Sequence, residues 1–174
     1  MSEPHETLRL KVCLVGAPAV GKTSLVRRYV EGTFSEDYLT TIGVRISRKR
    51  VTVDGEAVGL IVWDINGDDA FAPLQSAYLR GASAFLLVAD GTRPITFDRV
   101  VALRDELGEA FGGTPSILAL NKRDLDDEWA IDEAQVEALR NAGVDVRETS
   151  ARDGMEVEEA FLALARLAIA HARG

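Results

Sequence analysis

The segment from Gly16 to Thr23 combines residue types and a spacing that suit the binding of phosphate groups. It reads G-A-P-A-V-G-K-T, which matches the pattern G-x-x-x-x-G-K-[ST]. Gly21 lets the backbone curl so that its N–H groups point at phosphate oxygens, and the following helix adds the positive end of its dipole. We expect Lys22 to reach the β- and γ-phosphates of a nucleotide and the Thr23 hydroxyl to be a ligand of Mg²⁺. The residues predicted to hold the nucleotide in this segment are Gly16, Ala19, Val20, Gly21, Lys22, Thr23 and Ser24.

A second polar segment, Asn121 to Asp124, could select the base of that nucleotide. It reads N-K-R-D and follows an apolar run at 116–120. The Asp124 carboxylate can accept hydrogen bonds from the N1–H and the 2-amino group of guanine together, and adenine offers no such pair of donors. The segment therefore favours GTP over ATP. The phosphate pattern alone would also fit an ATPase or a small-molecule kinase.

In this order the two segments, followed by Ser150-Ala151-Arg152, resemble the Ras superfamily and most closely its Rab-like branch. The resemblance runs from about residue 8 to 170, and Arg152 replaces the lysine of the family's S-A-K motif. It implies that backbone N–H groups near Ala151 meet the guanine O6 and that the stem of Lys122 lies along the base. The base-binding residues that it implies are Asn121, Lys122, Asp124, Ser150, Ala151 and Arg152.

Thr40-Thr41-Ile42-Gly43 resembles the first switch loop of this family. The resemblance implies that Thr41 brings its hydroxyl to Mg²⁺ and its N–H to the γ-phosphate only when GTP is bound. Phe34 lies seven residues before Thr41, as does the family's aromatic residue that packs against guanine. A phenylalanine at the edge of the core is the alternative for Phe34, and a threonine that merely starts a strand is the alternative for Thr41.

W-D-I-N-G-D at 63–68 stands where Rab-like proteins carry W-D-T-A-G-Q. The resemblance implies that Asp64 holds Mg²⁺ through water and that the Gly67 N–H touches the γ-phosphate. Metal contacts are thus expected from Thr23, Thr41 and Asp64. Effector, activating and exchange proteins are expected to bind the switch loops at 35–45 and 64–78.

Three departures from the family pattern bear on GTP hydrolysis. Asp68 replaces the glutamine that positions the attacking water, and its charge would repel the γ-phosphate while it lacks the amide donor. Ile65-Asn66 replaces Thr-Ala, and Pro18 fixes φ and removes an N–H at the loop tip. We therefore expect slow intrinsic hydrolysis with Lys22, Thr41, Gly67 and Asp68 as the catalytic set. Otherwise, the group that replaces the water-positioning glutamine would come from Arg45, Arg48, Gln75 or a partner's arginine.

Two functions remain open at this point. The first is a GTP/GDP switch with slow or partner-assisted hydrolysis, whose γ-phosphate orders Thr41 and Gly67. The alternative is a pseudo-GTPase, an interaction module that binds nucleotide without turnover, which Asp68 and Ile65 favour. A small-molecule kinase fits less well because of the N-K-R-D segment and the hairpin described next.

Short apolar runs alternate with helical patterns along the chain. Runs at 10–15, 84–89 and 116–120 are apolar on both faces, as in central strands of a covered parallel sheet. Asp54-Gly55 between two apolar strands indicates a hairpin. The pattern predicts strands at 9–16, 41–53, 56–64, 83–90, 115–121 and 145–149, and helices at 21–31, 69–80, 95–111, 132–142 and 155–171. It indicates an α/β P-loop NTPase fold: a doubly wound, six-stranded, mostly parallel sheet with one antiparallel edge pair and helices on both faces.

The 174 residues fit a single domain, 1–174, with a flexible N-terminus at 1–7. The net charge of -8 argues against a nucleic-acid partner. Cys13 is the single cysteine and is expected to be a reduced core thiol. Position 2 is not Gly and the C-terminal tail has no Cys, so we expect a cytoplasmic protein without a direct membrane anchor. The missing lipidation sites and the many Ala and Arg residues are more typical of bacterial members of the superfamily than of membrane-cycling eukaryotic ones.

Overall fold

The computed structural model describes residues 7–30, 38–39, 44–65 and 77–174. These residues form one seven-stranded sheet in the order β2-β3-β4-β1-β5-β6-β7. Its strands are β1 (Leu8–Val15), β2 (Tyr38–Leu39), β3 (Val44–Val53), β4 (Glu56–Ile65), β5 (Ala84–Asp90), β6 (Ser116–Asn121) and β7 (Val146–Glu148). The helices with described bounds are α1 (Lys22–Val30), α2 (Pro94–Ala110), α3 (Glu133–Asn141) and α4 (Val157–Arg173), with a short 3₁₀ helix at Asp126–Glu128.

The prediction of a mostly parallel, doubly wound sheet is confirmed, and all six predicted strands are present. The prediction of six strands in total was wrong, because β2 adds a seventh, two-residue strand antiparallel to β3. A strand this short is too brief for an alternating pattern to be recognised in the sequence. Of the helix predicted at 69–80, the described residues 77–79 are helical. The predicted flexible segment 1–7 lies outside the described residues except for Thr7.

The predicted hairpin is also confirmed. Strand β3 runs antiparallel to β4 over their whole length, from the Val44–Ile65 pair to the Val53–Glu56 pair. The two residues between them have positive φ angles, 51° at Asp54 and 85° at Gly55. This is the backbone conformation that a two-residue hairpin of this twist requires, and an Asp-Gly pair adopts it at low cost.

Helices cover both faces of the sheet, as predicted. Helices α1 and α4 pack on one face, where the Tyr29 and Phe161 rings stack with centroids 4.0 Å apart. Helices α2 and α3 pack on the other face together with Leu79. All seven residues of β5 are buried, because this central strand is covered on both sides. Cys13 is fully buried in the second layer, and burial raises the pKa of its thiol to about 12.

Helices α2 and α4 bury apolar residues that recur at helical spacing. Val157, Phe161, Leu164 and Ala168 are all buried on α4. On α2, Val100, Leu103 and Leu107 are buried, whereas Phe111 follows the last helical residue and packs edge-on against Phe85 at 5.8 Å. None of the helices in the described part of the chain is both long enough and apolar enough to cross a membrane.

The sheet order brings the carboxyl ends of four parallel strands to one edge. Strand β1 lies between β4 and β5, and β6 follows β5. The register places Leu14 beside Asp64 and Asp90 beside Asn121. The strand order reverses at β1, which has β4 on one side and β5 on the other. Doubly wound folds bind their ligands at the carboxyl edge of the sheet beside such a reversal.

Candidate nucleotide-binding site

The predicted phosphate-binding loop connects β1 to α1, which is the strand–loop–helix context that its motif requires. The Lys22 side chain folds back under the loop, where Nζ donates to the carbonyl oxygens of Gly16 at 2.7 Å and Ala17 at 3.0 Å. Lys22 is only 5% exposed. A Cβ on Gly16 would lie 2.2 Å from the Val88 carbonyl oxygen, so the loop leaves β1 in direct contact with β5. The buried ammonium is therefore held inside the curl of the loop.

Asn121 attaches the loop to the predicted base-selecting segment, Asn121 to Asp124. Its Nδ2 donates to the Val20 carbonyl oxygen at 3.0 Å. A Cβ on Gly21 would lie 2.2 Å from the same Nδ2 atom, and Gly21 has a φ of 102°. Glycine is therefore needed here for two reasons, close approach of a buried side chain and a left-handed backbone. The two motifs, 100 residues apart, form one hydrogen-bonded unit.

The other end of the Asn121 carboxamide holds the loop that carries Ser150-Ala151-Arg152. Its Oδ1 accepts from the Thr149 hydroxyl at 3.2 Å and from the Ala151 N–H at 3.3 Å. Asn121 is 2% exposed, and three hydrogen bonds hold this amide in a buried position. Three predicted segments thus meet at a single side chain.

The predicted base-reading carboxylate lies in the same place. Asp124 Oδ1 accepts from the Ser150 hydroxyl at 2.9 Å, which fixes the orientation of the carboxylate. Arg152 is 3.9 Å from Asp124 Oδ2 and has an exposed side chain. The structure therefore brings Asp124, Ser150, Ala151 and Arg152 together as the resemblance implies. The geometry suits a base whose edge offers donors to Asp124.

Asp90 is a site residue that the sequence reasoning missed. Its buried carboxylate pairs with Lys122 Nζ at 2.8 Å, and Lys122 Nζ also donates to the Ala19 carbonyl oxygen at 3.0 Å. Burial alone raises the pKa of Asp90, but hydrogen bonds from Lys122, Thr92 and Arg93 outweigh it and lower the pKa to about 2. Asp90 is therefore ionised at neutral pH and holds the Lys122 ammonium against the phosphate loop.

Thr23 and Asp64 form the part of the predicted metal site that lies within the described residues. The Thr23 hydroxyl donates to Asp64 Oδ2 at 2.5 Å. Asp64 is 1% exposed, and its Oδ1 has no hydrogen-bond partner among the described residues. A buried carboxylate oxygen without a partner is costly unless a cation or an ordered water meets it. The arrangement therefore fits a divalent cation beside the loop.

The same part of the chain has no cluster of three or more His, Cys, Asp and Glu side chains that could hold a metal by themselves. The Thr23 hydroxyl and the Asp64 carboxylate are oxygen donors, the ligand type that Mg²⁺ prefers. Mg²⁺ is usually bound by one or two protein oxygens and completes its shell with waters and substrate phosphates.

Several predicted site residues lie outside the described residues, namely Phe34, Thr41, Gly67, Asp68 and Gln75. Two predicted candidates for the missing hydrolytic group, Arg45 and Arg48, lie within β3. Arg45 pairs in register with Asp64, whereas Arg48 pairs with Ile61, so the two arginines point to opposite faces of the sheet. Alternation directs the Arg48 side chain away from the face that carries Asp64, and its role in hydrolysis stays a prediction.

The sequence relationships agree with this geometry. The family model described as "Ras: Ras family" matches residues 11–170. The chain belongs to the Ras family. Among its relatives, the GTP-binding protein yptV2 of Volvox carteri is 38% identical over 98% of this chain and 80% of its own length. The Ras-related protein Rab-37 of Mus musculus is 40% identical over 94% of this chain and 74% of its own. The Ras-related protein Rab-13 of Bos taurus is 35% identical over 95% and 82%.

As a Ras-family protein of the Rab-like branch, the chain is a GTP-binding molecular switch and a GTPase that converts GTP to GDP. The predicted resemblance, fold class and function are therefore confirmed. The pseudo-GTPase alternative has no better support than the switch.

A local signal could have revealed Asp90. Asp64, Asp90 and Asn121 are each a buried polar residue at the carboxyl end of an otherwise apolar central strand. Such residues are unusual because burial of a polar group requires a partner. A search for single polar residues that end apolar strands would have found Asp90. Thr149 is 1% exposed, but β7 before it reads V-R-E, so its only local signal is its place directly after a strand and before Ser150.

Proposed function

We propose that this Ras-family protein binds GTP and GDP together with Mg²⁺ and hydrolyses GTP slowly, or faster with a partner. The observation that carries the proposal is the Asn121 side chain, which joins the phosphate loop at Val20 to the base-reading segment at Ala151. A phosphate site and a guanine-reading carboxylate are thereby fixed relative to each other. A nucleotide that satisfies both must carry guanine and a polyphosphate.

In this proposal, the protein's part in phosphate binding falls to backbone N–H groups of the loop and to Lys22. Helix α1 begins at Lys22, so its positive end faces the same loop. The other members of the predicted set are Gly16, Ala19, Val20, Gly21, Thr23 and Ser24. The base contacts are assigned to Asp124 through its carboxylate and to the Ala151 N–H, with Asn121, Lys122, Ser150 and Arg152 around them. Phe34 completes the proposed base site.

Mg²⁺ is assigned to the Thr23 hydroxyl and to Asp64, with Thr41 added in the GTP-bound state. The Asp64 Oδ1 atom, which has no hydrogen-bond partner among the described residues, supports this assignment. When bound, the ion neutralises negative charge on the phosphate oxygens. The chain's own contribution is to hold a hydroxyl and a carboxylate 2.5 Å apart at the loop.

For hydrolysis we assign Lys22 and the Gly67 N–H to charge stabilisation and Thr41 to the γ-phosphate and the metal. Asp68 is a poor substitute for a water-positioning glutamine because its charge opposes the approach to the phosphate. Single-turnover GTP hydrolysis tests this role. We expect Asp68→Ala to leave the rate within about twofold of wild type, and Asp68→Gln to raise it.

A wild-type rate well above that of Asp68→Ala would show that Asp68 does contribute to hydrolysis. If neither the wild-type protein nor Asp68→Gln turns over, with bound GTP verified, the pseudo-GTPase alternative would be correct. Arg45 stays a candidate for the missing group, and Arg45→Ala belongs in the same series. A rate unchanged by Arg45→Ala would leave Arg48, Gln75 or a partner's arginine as the remaining candidates.

Nucleotide selectivity is the direct test of the proposed binding. Protein stripped of nucleotide and supplied with Mg²⁺ should bind GDP and GTP in calorimetry and should not bind ADP or ATP. An Asp124→Asn variant should lose guanine preference, because a neutral amide offers one acceptor oxygen in place of two. Absence of heat with both guanine nucleotides, or tighter binding of ATP, would overturn the proposal.

The proposed partners are effector, activating and exchange proteins that contact the switch loops at 35–45 and 64–78. We propose a cytoplasmic location, where guanine nucleotides and Mg²⁺ are available, and no nucleic-acid partner. The net charge of -8 supports the second point, because a nucleic-acid binder needs a basic surface.

A further inference from the structure

Arg93 connects the tip of the phosphate loop to the strand edge beside it. It is the residue immediately before α2, and its NH2 atom donates to the Pro18 carbonyl oxygen at 2.7 Å. Its Nε donates to Asp90 Oδ2 at 3.1 Å. A single guanidinium thus bridges a buried carboxylate and a loop carbonyl, a geometry that its fixed fork of donors makes possible.

The Arg93 contact completes a series of three. The carbonyl oxygens of Pro18, Ala19 and Val20 are consecutive in the chain, and each accepts a hydrogen bond from a different side chain. The donors are Arg93 at 2.7 Å, Lys122 at 3.0 Å and Asn121 at 3.0 Å. In a trans peptide the N–H points opposite to the C=O of the same plane. Holding three carbonyls on the strand side therefore turns the N–H groups of Ala19, Val20 and Gly21 the other way.

Ala19 is the residue most in need of this support. Its φ of 61° lies in the left-handed region, which is unfavourable for a residue with a Cβ. Arg93 holds the peptide plane before Ala19, and Lys122 holds the plane after it. Both cations converge on one oxygen, Asp90 Oδ2, with Lys122 Nζ at 2.8 Å and Arg93 Nε at 3.1 Å. Through these two cations, Asp90 supports the peptide planes on both sides of Ala19.

We propose that Arg93, anchored by Asp90, is a positioning residue for the nucleotide phosphates. It keeps the Pro18–Ala19 peptide from rotating, so that the Ala19 N–H stays directed into the phosphate site. The proline at position 18 provides no N–H of its own, which makes the orientation of the next peptide more important. This inference rests on the proposed guanine-nucleotide binding. It adds Arg93 as the residue that supports the tip of the loop.

The test uses release of a fluorescent GDP analogue in Mg²⁺ with excess unlabelled GDP, for the full chain. Arg93→Ala should accelerate release by about three- to tenfold, the range expected for one lost hydrogen bond of this kind. Arg93→Lys should give an intermediate rate, because one ammonium keeps the charge but cannot bridge two acceptors with a planar fork. Arg99→Ala is the matched control, since this arginine of α2 pairs with Glu106 at 3.6 Å.

A second readout separates positioning from general loss of stability. The ³¹P resonance of the β-phosphate of bound GDP should shift in Arg93→Ala and remain at the wild-type position in Arg99→Ala. In an Asp90→Asn background, Arg93→Ala should accelerate release by a smaller factor than in wild type, because the anchor is already weakened.

Arg93→Ala release within twofold of both wild type and Arg99→Ala, with an unmoved ³¹P resonance, would overturn the inference. Accelerated release with an unmoved resonance and no rescue by lysine would also overturn it, because that pattern describes a structural loss alone. If the wild-type protein takes up no GDP analogue, the proposed function itself fails and the inference falls with it.

Discussion

The Nδ2 atom of Asn121 lies 3.0 Å from the Val20 carbonyl oxygen, while Oδ1 of the same side chain accepts from Thr149 and Ala151. One buried carboxamide therefore fixes the distance between the phosphate loop and the base-reading loop. Because a rigid pair of subsites loses little freedom when a ligand spans both, this contact is expected to raise affinity for the whole nucleotide.

Asn121→Ala should weaken both loops at once. The Val20 carbonyl, the Thr149 hydroxyl and the Ala151 N–H would each lose a buried partner, and unsatisfied buried groups cost about 1–3 kcal/mol. GDP release should accelerate by at least about tenfold, and the melting temperature should fall. Stopped-flow release and thermal unfolding of the same samples measure the two effects. Unchanged release beside a lowered melting temperature would show that Asn121 serves stability alone.

Gly21→Ala should abolish nucleotide binding. Its Cβ would lie 2.2 Å from Asn121 Nδ2 in a backbone with φ at 102°, so the loop or the side chain must move. Gly108→Ala is the control: this helical glycine has nothing within 4 Å of an added Cβ. We expect Gly108→Ala to bind GDP normally and to be more stable by about 0.5–1 kcal/mol. If calorimetry shows that Gly21→Ala binds GDP with wild-type affinity, the predicted clash with Asn121 is wrong.

Asp64→Ala should uncouple nucleotide release from Mg²⁺. Chelation of the metal should accelerate GDP release from the wild-type protein by at least about tenfold, because the ion holds the phosphates. In Asp64→Ala the ratio of rates with and without chelator should fall to within about twofold of unity. Asp105→Ala, an exposed carboxylate on α2, is the control and should keep the full ratio.

Asp64→Ala should also change the stability of the nucleotide-free protein. Asp64 is a buried carboxylate with an unpartnered oxygen among the described residues, so it costs stability when no cation is present. The metal-free and nucleotide-free Asp64→Ala variant should therefore melt at or above the wild-type temperature. A lower melting temperature would indicate that the Thr23–Asp64 hydrogen bond outweighs the buried charge.

Asp90 should make the stability of the protein depend on acidity below about pH 4. Its pKa is lowered from 3.8 to about 2 in the folded state. A lowered folded pKa adds stability that is present above the unfolded pKa and is lost as the pH falls through the folded pKa. The window is therefore about pH 4 to pH 2, and the contribution is on the order of 2 kcal/mol.

Urea unfolding of wild type and Asp90→Asn at pH 6 and pH 3 measures this contribution. The destabilisation caused by Asp90→Asn should shrink by roughly 1 kcal/mol between the two pH values. Asp105→Asn should differ from wild type by only a few tenths of a kcal/mol at both, as expected for an exposed side chain. A difference for Asp90→Asn that is the same at pH 6 and pH 3 would show that its carboxylate is not held ionised by Lys122 and Arg93.

The parts of the fold that were predictable have local physical causes. Strands buried on both faces need unbroken apolar runs, so β1, β5 and β6 were recognised from composition alone. The hairpin required positive φ at two adjacent residues, and Asp54-Gly55 supplied the residue types that tolerate it. Strand β2 was missed because two residues carry no periodic signal, and Phe111 was assigned to α2 although the helix ends one residue earlier.

The two candidate arginines of β3 show what a local pattern leaves open. Arg45 and Arg48 are equally charged and three residues apart in the same strand. Their odd spacing places them on opposite faces, and only the register with β4 identifies Arg45 as the partner of Asp64. A one-residue slip of that register would have exchanged their roles.

Short motifs in the chain were enough to predict the phosphate loop, the guanine-reading segment and the family, because each requires particular residue types at fixed, short spacings. The side chains that support the loop from a distance became visible in the folded sheet. Arg93, Lys122 and Asn121 reach Pro18 to Val20 because β5 lies directly beside β1 and β6 beside β5. Strand order depends on how the whole sheet packs, and no short segment of the chain encodes it.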